Sequence, residues 1–242
     1  MERRSAISSG VGSRPCSWRN WRLVRTSLLI VSIMWTGMRI VRAWSAIERV
    51  IACRQPGQSM EIDLQCSGVN ITGWLQQVQS DGLLRWRPSL LSVAQGMQLW
   101  LEHLVYCASG GTGESRLFVR KEGEWRFPPL AQEQAQGYLN DLVDGYLQGM
   151  SKPLLLLPES GGAWLKVCYD AEKDVMLMDE ETQQKARSKF LQAYEGNMVV
   201  SGEGADVWYQ RLWRTLEAEY YEEILTQTQR YLLPVFRFHQ SE

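Results

Sequence analysis

Residues 71–87, I-T-G-W-L-Q-Q-V-Q-S-D-G-L-L-R-W-R, restrict what this chain can fold into more than any other stretch. Ile71, Gly73 and Leu75 alternate with Thr72, Trp74 and Gln76, the period of two that an extended strand imposes. Ser80-Asp81-Gly82 is a turn signal, and residues 83–87 read as a second strand. The stretch therefore predicts a β-hairpin over a Gly-containing turn. On its second strand Leu83, Arg85 and Arg87 share one face, while Leu84 and Trp86 take the other. Residues 89–107 follow at helical spacing, with Leu90, Leu91, Ala94, Met97, Leu101, Leu104 and Val105 as the apolar set. Ser89 after Pro88 is the candidate N-cap, and Gly110-Gly111 lie beyond the end.

The flanking elements alternate between strand and helix. Residues 60–66 predict a strand before the hairpin, with Ile62 and Leu64 on one face. Residues 116–120 and 124–127 are two short strands, stopped by Pro128-Pro129. Helices are predicted over 131–150, 163–168, 179–194 and 217–231, with an aromatic helix capped by Asp206 before the last. Residues 154–157 are a buried extended run between prolines, 197–204 a Gly-containing loop, and 232–238 a short apolar tail.

Charge divides the chain. Residues 1–54 carry ten Arg, no Lys and two Glu, a balance of +8, and the remainder carries −9. Arg19, Arg22 and Arg25 lead into an apolar run over 28–35. That run is too short to span a bilayer, which takes about 20 apolar residues. Three readings of this segment stand. It is a non-native terminus from out-of-frame translation of GC-rich DNA, an amphipathic helix, or an export signal that would make the protein exported or membrane-attached.

Several chemistries lack their residues. The five cysteines are dispersed and without a C-x-x-C pair, and the histidines are His103 and His239. That argues against a structural metal and for reduced thiols in a cytoplasm. Gly110 to Ser115 lacks the lysine of a phosphate-binding loop and reads as a flexible loop. Ser160 lies outside a nucleophile elbow, and His103 reads as a packing residue within an apolar helix. The cluster Asp170, Glu172, Asp174, Asp179, Glu180 and Glu181 reads as a solvated loop and a helix N-terminus.

Residues 71–100, with G-W-L-Q-Q-V-Q-S-D-G-L-L-R-W-R-P-S-L-L-S-V-A-Q-G-M-Q-L-W, closely resemble the RecC family, the gamma subunits of exodeoxyribonuclease V. L-E-H-L-V-Y-C-A-S-G-G (101–111), L-L-L-P-E-S-G-G-A-W-L-K (155–166), K-F-L-Q-A-Y-E-G-N-M (189–198) and V-W-Y-Q-R-L-W-R (207–214) look like the same family's C-terminal part. The resemblance covers roughly residues 53–242, whereas residues 1–52 do not share it. Two segments are expected from this, 1–54 and a RecC-like domain over 55–242. Family members are several times longer, so the resemblance implies a C-terminal fragment with a foreign or frameshifted start.

The resemblance implies an α/β fold with a restriction-endonuclease-like core, a central mixed sheet flanked by helices, that has lost its catalytic residues. Active relatives carry G-[FI]-[IV]-D and then D-[YW]-K. Here Gln76 stands for the metal-binding Asp, Arg85 for the second carboxylate, Trp86 for the aromatic and Arg87 for the lysine, and a later Q-x-x-x-Y motif reads Gly96 to Trp100. Two unit charges about 4 Å apart interact by about 4 kcal/mol at an effective dielectric near 20, and a divalent ion doubles that. Arg85 in place of a carboxylate reverses the sign, so no metal or other cofactor is expected on this chain. The resemblance further implies RecB and RecD, the beta and alpha subunits, as partners. ATP and Mg²⁺ would be bound there, and the process would be double-strand-break repair and recombination. Arg85 and Arg87 are the candidate DNA contacts, weighed against a solvated or protein-facing strand. The net-acidic body favours protein docking, and its many Trp and Tyr residues suit an interface. An active Mg²⁺-dependent nuclease is the rival reading.

Overall fold

The computed structural model describes residues 57–87, 89–119, 123–213 and 215–240. The readings made of residues 1–54, and the last residue of the strand read over 116–120, lie outside them. Strands β1 (Gln58–Cys66) and β2 (Val69–Gln79) form a long antiparallel hairpin. Its two-residue turn, Ser67 and Gly68, has φ of 46° and 77°, the left-handed pair that matches the twist of paired strands. β3 (Gly82–Arg87) returns antiparallel to β2. Helix α1 (Val93–Ala108) then carries the chain to β4 (Glu114–Val119), which lies parallel to β3. A parallel neighbour needs such a crossover, because a tight turn reverses direction. β5 (Glu124–Phe127) adds antiparallel, giving a mixed five-stranded sheet in sequence order.

Helices flank this sheet. α2 (Gln132–Gly149) packs beside α1, and its Gln136 amide donates to the Gln65 carbonyl of β1 at 2.9 Å. α3 (Pro158–Cys168), α4 (Glu180–Glu195), α5 (Val207–Leu212), α6 (Ala218–Tyr231) and α7 (Leu233–Phe238) complete the described chain. A two-residue ladder, β6 (Tyr169–Asp170) with β7 (Val175–Met176), links α3 to α4. Among the described residues no helix is long and apolar enough to cross a membrane.

Most predicted elements form, with shifted ends. α1 starts at Val93, and its N-cap is Ser92, whose hydroxyl accepts from the Gln95 N–H at 3.2 Å. Ser89 instead takes a hydrogen bond from the Gln95 side chain. α3 begins at Pro158, earlier than residue 163, because proline tolerates the first turn. Gly161 and Gly162 stay helical for a packing reason. A Cβ at either would lie within 2.5 Å of Thr228 or Val93. The apolar tail is helix α7, anchored by the buried Pro234 and Val235. Beyond it the chain runs along β5, where the Arg126 N–H donates to His239 Nδ1 and the Gln240 N–H to the Arg126 carbonyl. The Gly110–Ser115 stretch closes on α1, with the Gly113 N–H donating to the Tyr106 hydroxyl at 3.1 Å.

The core lies between one sheet face and the helices. Leu83, Leu117, Val119, Trp125 and Phe127 point into it from the strands, and Leu99, Trp100 and Leu104 from α1. Leu155 and Leu157 fill it from the extended run 154–157, as the prolines around that run suggest. Trp100, Trp125 and Trp164 are all buried, so much of the aromatic content expected at an interface holds the fold together instead.

His103 is fully buried, with Ser115 Oγ 2.8 Å from Nδ1 and a further bond to the backbone carbonyl of Pro128. Burial lowers its pKa to about 4 from the ordinary 6.5. Its folded pKa lies below the unfolded one, so it stabilises the fold above pH about 6.5. That contribution is lost as pH falls toward 4, because the unfolded chain takes up the proton first. Denaturant titrations should show wild type losing about 2–3 kcal/mol more than His103→Asn between pH 7 and pH 4.

Candidate functional site

The candidate site forms where β2 and β3 part. Their backbones pair at Gln79 with Gly82 and at Val78 with Leu83, and no further. The cause is on β2. Gln58 pairs with Val78 but Met60 with Leu75, so Gln76 and Gln77 together face the single residue Ser59. Gln77 takes φ 59°, the left-handed conformation that lets a strand carry one extra residue. The bulge turns β2 away from β3, leaving a fork in the sheet.

Arg85 fills that fork. Its Nη2 donates to the Gln76 carbonyl at 2.9 Å, and Nη1 lies 3.5 Å from the Gln77 carbonyl and 3.4 Å from that of Leu84. Its Nε donates to the Glu102 carboxylate of α1 at 2.7 Å. The pair is largely withdrawn from solvent, at 20% and 24% side-chain exposure. One guanidinium thus replaces several missing backbone contacts and ties both strands to the helix. Arg87, two residues on, points the same way, and its Nη2 reaches Gln98 Oε1 at 2.6 Å in an exposed position. The Gln76 side chain accepts from the Ser59 hydroxyl at 2.7 Å.

The alternation read from the sequence holds here. Leu83, Arg85 and Arg87 face α1, whereas Leu84 and Trp86 turn to the other side. That second face also carries Trp74, 61% exposed, with Trp86 at 42%. Gln98 and Glu102 escaped the sequence reading. Their signal was available, since they stand four apart on a largely apolar helix and so share a face. Gly96 and Trp100, read as the remnant of a helix motif, are core residues. A Cβ at Gly96 would lie 2.3 Å from the Trp125 indole.

The residues at the fork do not fit a divalent ion. A Mg²⁺ site takes carboxylate oxygens at octahedral geometry. The fork offers the Glu102 carboxylate, already bonded to Arg85, and a positive guanidinium beside it. Among the described residues, no group of three or more His, Cys, Asp or Glu stands close enough to hold a metal. Three residues of the acidic cluster have structural partners. Asp170 caps a turn at the Glu172 and Lys173 N–H groups, Asp174 pairs with Arg237 at 2.8 Å, and Asp179 caps α4. On the far sheet face Arg116 and Arg126 stand opposite each other, both bonded to Glu114. Those guanidiniums, Arg126 foremost, hold its carboxyl below the usual range.

Together, the sheet and its fork define a mixed α/β domain whose candidate centre is organised by an arginine and a carboxylate. The sequence profile of the RecC C-terminal domain matches residues 37–169, and this chain belongs to that family. The match begins upstream of Cys53, where the resemblance read from the residues starts. RecBCD enzyme subunit RecC of Escherichia coli (strain K12) is 77% identical over 194 residues, which is 80% of this chain and 17% of that protein. The RecC subunits of two Buchnera aphidicola strains, from Schizaphis graminum and Acyrthosiphon pisum, are 33% and 31% identical. They match over 74% and 78% of this chain and 16% and 18% of their own lengths. The chain thus spans less than a fifth of the curated relatives it matches.

Removing Arg85 leaves the largely withdrawn Glu102 carboxylate without its guanidinium, whereas removing Arg87 exposes a glutamine to water. Arg85→Ala should therefore destabilise the chain by about 2 kcal/mol in a denaturant titration, and Arg87→Ala by less than about 0.5.

Proposed function

We propose that this chain is a non-catalytic scaffold and DNA-guiding domain of the gamma subunit of an exodeoxyribonuclease V complex. Its core is of the restriction-endonuclease type, with the metal-holding positions occupied by Gln76, Arg85 and Arg87. The observation that carries this reading is the Arg85–Glu102 bridge, which engages the carboxylate that α1 brings to the fork. A nuclease of this type activates water on a divalent ion, and a site built around a resident guanidinium does not recruit one.

The family membership supports the rest. The curated relatives are named as subunits of the RecBCD enzyme, so RecB and RecD are the proposed partners. ATP and Mg²⁺ act on those subunits, in the cytoplasm, and the process is repair and recombination at double-strand breaks. Of the two arginines offered as DNA contacts, Arg87 is the better placed. Its guanidinium is exposed and holds a neutral amide, whereas Arg85 is held by Glu102 and backbone. A phosphate can displace Gln98 from Arg87 at little cost.

Two measurements test this. The isolated 242-residue chain, incubated with linear duplex DNA and Mg²⁺, should release no nucleotides. Chelator-sensitive cleavage would establish the rival nuclease reading. In a complex assembled with RecB and RecD, Arg87→Glu should weaken DNA binding at every sequence and lower the salt-dependence slope by about 1 to 2. An unchanged slope would remove Arg87 from the interface.

A further inference from the structure

We propose that the fork between β2 and β3 is a cation site whose occupant is the chain's own Arg85, and whose external ligand class is the guanidinium ion. The inference rests on the same non-catalytic reading of the centre and adds what the centre binds. Its lining is oxygen. The Glu102 carboxylate and the Gln76 carbonyl lie 2.7 and 2.9 Å from the guanidinium nitrogens, with the Leu84 and Gln77 carbonyls behind at 3.4 and 3.5 Å. One negative charge and the carbonyl dipoles that accept from the guanidinium make a partly open site that favours a single positive charge.

The shape selects the kind of cation. The carbonyls of Gln76 and Gln77 come from a bulged strand and that of Leu84 from its neighbour, while Glu102 comes from the helix above. A flat ion with donors all round its edge meets these directions at once. A hydrated Mg²⁺ demands six ligands at octahedral angles, and an ammonium donates from a single nitrogen. The fork also stays partly open to solvent, since the bridge keeps about a fifth of its side-chain surface. An ion can therefore enter once the tethered group is removed. Arg87 is the internal contrast, because its partner is one uncharged amide on an exposed face.

Thermal unfolding of the full chain tests the proposal, with wild type, Arg85→Ala, Arg85→Ala/Glu102→Gln and Arg87→Ala compared at fixed ionic strength. Sodium chloride is replaced stepwise by millimolar guanidinium chloride, and in a parallel arm by magnesium chloride. Arg85→Ala should melt roughly 5 °C below wild type. Guanidinium should restore most of that loss saturably, as expected for a ligand that binds only the folded state. It should do nothing for the double variant or for Arg87→Ala. An Arg85→Ala chain indifferent to guanidinium overturns the proposal, as does equal rescue of Arg87→Ala. Saturable rescue by Mg²⁺ would show a metal cage instead and also overturn it. Where Arg85→Ala is unfolded in sodium chloride, the readout becomes recovery of its folded circular-dichroism signal by guanidinium, and no recovery is a refutation. The DNA cleavage assay on wild type stands apart from these outcomes, so a failed rescue and an active nuclease are told apart.

Discussion

Three parts of this fold meet on the indole of Trp100. It is 1% exposed and touches Phe127 of β5, Tyr138 of α2 and Phe238 of α7, with centroids 5.1, 5.8 and 5.3 Å away. Burying a large aromatic removes some 150–250 Å² of surface from water, and paired rings add about a kcal/mol each. One turn earlier, Gly96 lets α1 lie directly against Trp125, where any side chain would collide. The depth and rotation of α1 are thus fixed from its buried side. That rotation turns Gln98 and Glu102 toward the sheet fork, so the apolar core decides where the polar centre stands.

The ends of the helices are held by carboxylates from distant segments. Glu159, in the first turn of α3, accepts from the Val93 and Ala94 N–H groups that open α1. Glu203 does the same for α3, taking the Glu159 and Ser160 N–H groups at 3.1 and 2.7 Å. An acid at a helix N-terminus satisfies orphan donors and meets the positive end of the dipole. Burial pushes the Glu203 carboxyl above its usual range even against those donors. Each carboxylate sets the position of the helix that supplies the next one. The 203–205 turn therefore bears on α3, α3 on α1, and α1 on the fork.

How much of this was legible depends on the range of the interaction. The hairpin, the crossover helix and the strand pair 116–127 follow from local period and turn chemistry, which neighbours in sequence determine. The facing of Arg85 and Arg87 followed from alternation alone. The bulge at Gln76 and Gln77 did not, because it needs β1 opposite to define it. Glu102, 17 residues from Arg85, looked like one more polar residue on a helix. The caps from Glu159 and Glu203 span 65 and 44 residues, and the bond from His239 to β5 spans 113. The tail at 232–238 is visibly apolar in the sequence, but its helix depends on Pro234 and Val235 finding a core already built.

The direction of Arg85's charge then has a structural logic of its own. A strand that bulges away from its neighbour gives up ladder hydrogen bonds, and backbone polar groups are best paired. A carboxylate at position 85 would face the Gln76 carbonyl and Glu102 with like polarity, and such a fork closes only around an added cation. An arginine supplies donors and charge from within the chain, so strands and helix close without an ion. A domain arranged this way has a centre that is set by folding itself. The charge and shape of the fork are thus fixed by Arg85 and Glu102 when the strands and the helix come together.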